Sequence, residues 1–127
     1  MKTKGIGAVL GVLLAVSPAF AAGLLDGKTF TGTVGNASSD KGQADDFVFR
    51  DGKFSSKLCD QFGYKEGDYW VFPKDNATTF TAKTASDAGG KKSWSGSVKG
   101  NSLEGTVTTV ENGKTEQGWF KGQLKTA

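Results

Sequence analysis

From Lys28 onward the chain alternates apolar and small polar residues in short runs, each bounded by Gly, Asn or Asp. A period of two sends successive side chains to opposite faces of a strand, so the pattern predicts half-buried antiparallel strands. Eight runs can be read, approximately Lys28–Gly35, Asp46–Arg50, Lys53–Cys59, Asp68–Phe72, Thr78–Thr84, Lys92–Lys99, Ser102–Val110 and Glu116–Lys125. Between them, Asp51-Gly52 and Asn112-Gly113 are pairs that accept the positive φ values of a tight hairpin turn. Lys74-Asp75-Asn76, Gly89-Gly90 and Gly100-Asn101 are similar breakers. Consecutive strands are therefore expected to pair as hairpins. No segment of this region sustains a 3.6-residue period over three turns, although Ser38–Ala44 and Ala85–Ala88 leave room for a short helical turn.

A small repeat narrows the architecture. Phe30-Thr-Gly32-Thr-Val34, Trp94-Ser-Gly96-Ser-Val98, Leu103-Glu-Gly105-Thr-Val107 and Phe120-Lys-Gly122-Gln-Leu124 share one form, apolar-x-Gly-x-apolar. The glycine falls between two apolar residues of the same parity, on the buried face. Glycine there marks a sheet that bends sharply or a backbone that something approaches closely. Four such sites among eight strands predict an all-β fold, an antiparallel up-and-down eight-stranded barrel. An outer-membrane barrel shows the same alternation with its faces exchanged, but its strands need about 9 to 11 residues. Several runs here have only five to seven before a break, and no stable membrane insertion is expected.

Ahead of this region, Lys2 and Lys4 precede an uninterrupted run of apolar and glycine residues from Ile6 to Val16, followed by Ser17-Pro18-Ala19-Phe20-Ala21. This is the pattern of a cleavable secretory signal. Its apolar core falls short of the roughly 20 residues that span a bilayer as a helix. Residues 1–21 are read as a signal peptide and residues 22–127 as a single domain, periplasmic or secreted. Such a domain is too small for two cores and for a cleft between them. Taking Lys2 and Lys4 from the 16 basic residues leaves 14 against 13 acidic. The charges are interleaved, and no stripe suggests a nucleic-acid partner.

The chemical inventory is short. There is no histidine and one cysteine, so an intrachain disulfide is impossible, the common zinc and copper ligand sets cannot assemble, and the commonest general base is missing. Asp45-Asp46, and Asp60 with Glu66 and Asp68, read as solvated loop carboxylates; the segment from Asp40 lacks the spacing of a calcium loop. No metal, no cofactor and no catalytic set are expected. Cys59 is either a small buried hydrophobe beneath Phe62 or Tyr64, or a thiol exposed beyond a strand end. Among the aromatic residues, Phe30, Phe54, Tyr69, Phe80, Trp94 and Phe120 share the inward parity with Phe47 and Phe49. They either fill the barrel or, with Gly32, Gly96, Gly105 and Gly122 leaving space opposite them, line an apolar ligand pocket with hydroxyls at its mouth. Phe62, Tyr64, Trp70 and Trp119 are candidates for a partner-binding patch or for contacts beneath a loop.

Trp94-Ser95-Gly96, Gly105-Thr106-Val107, Glu111-Asn112-Gly113-Lys114-Thr115 and Trp119-Phe120-Lys121-Gly122-Gln123-Leu124 are similar to the closing strands of avidins, and Leu25-Asp26-Gly27-Lys28 with Gly35 is similar to an avidin first strand. The chain thus resembles the calycin group of lipocalins and avidins, which implies a closed barrel that binds a small molecule. The family has a tryptophan and then an asparagine ligand in that first strand, and Thr29 to Gly32 offers neither. The central stretch from Phe54 to Tyr64 is similar to small secreted bacterial proteins to which no activity attaches. The expected function is binding without catalysis, of a small apolar or amphipathic ligand in the barrel. The alternative is a protein-interaction module, an inhibitor or envelope accessory protein, with a packed barrel and its active surface on the loops around Cys59–Asp68.

Overall fold

At Asp51-Gly52 and Asn112-Gly113 the chain turns back with φ of 55° and 76°, and of 51° and 77°. Positive values at both central residues are what a two-residue hairpin with the native strand twist requires. The computed structural model describes residues 23–126; the signal read at residues 1–21 lies outside them. The elements are β1 Thr29–Asn36, β2 Gln43–Arg50, β3 Lys53–Ser56, α1 Lys57–Asp60, β4 Tyr64–Lys65, β5 Gly67–Lys74, β6 Ala77–Ser86, β7 Lys91–Lys99, β8 Ser102–Glu111 and β9 Lys114–Leu124. Strands β1, β2, β3, β5, β6, β7, β8 and β9 pair antiparallel in sequence order, and β9 returns to β1, with Phe120 opposite Val34. This is the closed up-and-down eight-stranded barrel expected from the sequence. The two-residue β4 adds to β6 through Tyr64 opposite Ser86.

The third strand is shorter than its hydrophobic pattern implied. It ends at Ser56, and residues 57–60 turn into α1 across one end of the barrel. Ser56 caps this turn, its hydroxyl accepting from the Cys59 N–H at 3.3 Å. The same hydroxyl donates to Asp45 of β2, whose other oxygen accepts from Leu58 N–H at 2.9 Å. A carboxylate and a hydroxyl thus satisfy the free donors of the first helical turn. Helical turns at Ser38–Ala44 and Ala85–Ala88 do not form; these residues belong to strands β2 and β6 and their adjoining turns.

The opposite end is closed by the segment preceding β1. Leu25 is buried, its N–H donating to the Tyr69 hydroxyl at 3.1 Å. Tyr69 donates in turn to Asp26 at 2.7 Å, and Asp26 accepts from Gly52 N–H at 2.9 Å. Gly27 N–H donates to the Phe49 carbonyl at 2.8 Å, which ties the segment to β2.

Between the two ends the interior is filled with rings. Phe30, Phe47, Phe49, Phe54, Tyr69, Phe80, Trp94 and Phe120 are all buried. Ring centroids stand 5.0 Å apart for Phe49–Phe80, 4.9 Å for Phe54–Trp94 and 5.3 Å for Trp94–Phe120, in the tilted and edge-on arrangements aromatic pairs prefer. Across β6, β7, β8 and β9 runs one row, Phe80–Gly96–Gly105–Phe120. A Cβ on Gly96 would lie 2.8 Å from Phe120 Cζ and 3.0 Å from Phe80 Cε1, and one on Gly105 would lie 2.7 Å from Phe120 Cζ. The rings of the outer two residues therefore cover the glycines between them. Gly32 and Gly122 face each other across β1 and β9, and a Cβ on Gly32 would stand 2.5 Å from Gly122 Cα. The space these inward glycines leave is taken by the protein's own rings and backbone.

Candidate functional site

Six residues expected to line a ligand pocket belong to this packed core: Phe54, Phe80, Trp94 and Phe120 contact one another, and Phe30 and Tyr69 pack against Phe49. Trp94 also donates from its indole N–H to Thr84 Oγ1 at 3.1 Å. A concave site lies above them, at the α1 end of the barrel. There a cavity of about 500 Å³ is lined by Val34, Leu58, Cys59, Phe62, Tyr64 and Val107, with Gln43, Lys92, Thr109, Glu111 and Glu116 among its polar walls. The volume falls within the range of small-molecule sites.

Strand parity explains the mixture. On β7 the inward set is Lys92, Trp94, Gly96 and Val98; on β8 it is Leu103, Gly105, Val107, Thr109 and Glu111. Moving toward the α1 end, each strand changes from apolar to polar inward residues without changing face. Val107 therefore lies one inward step below Thr109, and Val34 one step below Asn36.

The polar walls are tied to one another. Tyr64 is buried and donates its hydroxyl to the Glu111 carboxylate. Burial, followed by that bond to a carboxylate, pushes its phenol pKa up, so the hydroxyl stays protonated. Lys92 Nζ stands 4.9 Å from the centre of the Tyr64 ring and donates to Thr109 Oγ1 at 2.7 Å. Cys59 is a free, buried thiol, as one of its two readings required. Burial raises its pKa, opposed by a bond to Ser56 and by the charge of Lys92, so the thiolate that would act as a nucleophile is disfavoured. Asp45 also has its pKa raised by burial, against the lowering effect of its bonds from Ser56 and Leu58.

Of the four residues expected to form a partner-binding patch, Phe62 and Tyr64 meet at the cavity, while Trp70 and Trp119 lie apart on the barrel wall. Phe62 projects from the α1 turn with 68% of its surface exposed, and Tyr64 points into the barrel mouth. Trp119 lies on the outer wall as a loop anchor. Its indole N–H donates to the Ser39 carbonyl at 2.8 Å, and Cβ atoms on Gly35 and Gly42 would meet its ring at 2.7 and 2.8 Å. Trp70 is 38% exposed on β5, beside Phe72 at 56%, and is separated from Trp119 by three strands of the barrel. Lys92, Thr109 and Glu111 were not singled out from the sequence; the signal available for them was their parity with Trp94 and Val107. Comparison with protein-family models, with curated proteins and with solved structures finds no match to this chain.

Proposed function

We propose that the protein is a non-catalytic, calycin-like binding protein, exported to the periplasm or beyond, that holds a small amphipathic molecule in the mouth of its barrel. The observation that supports this reading is the cavity of about 500 Å³ at the α1 end, with Val34 and Val107 on its floor, Leu58 and Phe62 on the α1 side and polar side chains on the walls between. The packed aromatic interior argues for a ligand seated at the mouth, rather than deep among the rings as the sequence suggested. The protonated Tyr64 and the disfavoured Cys59 thiolate offer no activated base or nucleophile there.

Native mass spectrometry of the protein from its own compartment tests the reading. The expected result is an added mass on the order of a few hundred daltons that disappears on denaturation and is absent from Val107→Trp, which fills the cavity. A clean mass for the wild-type protein overturns it. That outcome favours a protein partner instead, for which exposed Phe62, Trp70 and Phe72 are the candidate contacts.

A further inference from the structure

Among the described cations, Lys92 is one that its strand directs inward, beside Trp94 on the same face of β7. Among the described residues the ion pairs are Lys53–Asp68, Lys57–Asp60 and Lys65–Asp87, and Lys92 belongs to none of them. Its neighbours are a hydroxyl, Thr109 Oγ1, and the face of the Tyr64 ring. Glu111 accepts from the Tyr64 hydroxyl at the edge of that ring and forms no ion pair with Lys92. An ammonium carries three donors, and the Thr109 bond uses one. A half-buried cation with spare donors, facing a cavity, is complementary to an anionic group.

The rest of the cavity defines the remainder of the ligand. Leu58, Val34, Val107 and Phe62 offer apolar surface. The charged side chains of the lining are Lys41 and Lys92 against Glu111 and Glu116, a balance that accommodates one negative charge at Lys92 and repels a polyanion at the rim. No arginine fork is present in the lining to grip a phosphate from two sides. We propose that the mouth cavity takes a small hydrocarbon molecule ending in a single carboxylate, its oxygens on Lys92 Nζ and its chain against Leu58, Val34 and Val107. This assignment rests on the mouth being the binding site.

Decanoate, decanol and decylamine, each below its aggregation limit, can be titrated into the isotopically labelled protein while backbone amide resonances are followed. Decanoate is expected to shift the amides of Leu58, Cys59, Thr109 and Gly118 and to bind about ten- to a hundredfold more tightly than decanol, the worth of one charge-assisted hydrogen bond. Lys92→Met should remove that advantage and leave decanol affinity within about twofold, whereas Lys92→Arg should retain most of it. Equal binding of the three probes, a preference for decylamine, or a decanoate preference that survives Lys92→Met overturns the carboxylate assignment and leaves the mouth as the site. Failure of every probe to move the mouth amides overturns both. If Lys92→Met does not fold, Lys92→Gln is measured in its place, and a wild-type protein that shows no decanoate preference overturns the assignment without any variant.

Discussion

Asp45 occupies an inward position of β2, where the parity that buries Phe47 and Phe49 would otherwise place an apolar residue. Its two oxygens take the Ser56 hydroxyl and the Leu58 N–H, so one carboxylate holds α1 over the barrel end. Asp45→Ala leaves both donors without a partner and should cost about 1–3 kcal/mol in a denaturant titration. Asp45→Asn keeps a carbonyl acceptor and removes the buried charge. Because burial raises the folded-state pKa above 3.8, the folded protein holds the proton more tightly than the unfolded chain. The resulting stabilisation is fully present below pH 3.8 and is lost as pH rises through the folded value. Asp45→Asn is therefore expected to match or exceed the wild type at pH 7, with the wild type gaining on it as the pH falls toward 3.8. A difference that stays constant over that range would show that Asp45 does not titrate in the folded protein.

Among the elements, the row Phe80–Gly96–Gly105–Phe120 fixes how four strands curve around the core. A Cβ on Gly105 would lie 2.2 Å from the Ser95 carbonyl oxygen as well as 2.7 Å from Phe120 Cζ. The carbonyl belongs to the ladder and cannot swing aside, so Gly105→Ala should destabilise by about 1–3 kcal/mol. Trimming Phe120 to Leu in the same chain relieves the ring contact alone. A double-mutant cycle should therefore recover only part of the loss. The sequence made much of this level legible. Period-two alternation and paired turn residues gave eight strands and their hairpin order, and the apolar-x-Gly-x-apolar repeat marked where the barrel bends. It did not reveal whether the glycines face a vacancy or a ring, because Phe80 and Phe120 lie on other strands. It also did not reveal where β3 stops. Lys53–Cys59 continues an apolar pattern, and the cap that breaks it depends on Asp45, eleven residues before Ser56. Lys92 was readable in principle, since a charge of inward parity at a strand end either snorkels outward or faces a polar mouth.

At the scale of the whole molecule, closure is uneven around the barrel. Strands β8 and β9 pair continuously from Lys114 opposite Glu111 to Gln123 opposite Ser102. Strands β3 and β5 meet only at Lys53 opposite Asp68 and Phe54 opposite Gly67, because β3 gives way to α1 after four residues. Lys53 and Asp68 do form an ion pair across this seam, but both side chains are well exposed, and an exposed pair contributes on the order of 0–1 kcal/mol. The binding site proposed above is roofed by the α1 turn that begins at this seam, so the part of the barrel with the fewest ladder bonds is also the part that covers the cavity. Local opening is drawn from such low-stability segments. Native-state hydrogen exchange should find the amides of residues 53–68 opening at a lower free energy than those of β8 and β9, which should exchange only with global unfolding. Decanoate bound at Lys92 would contact Leu58 and slow exchange in α1 selectively. Uniform protection throughout the barrel would mean that α1 and the β3–β5 seam unfold only with the whole, and that a ligand must enter through the mouth as it stands.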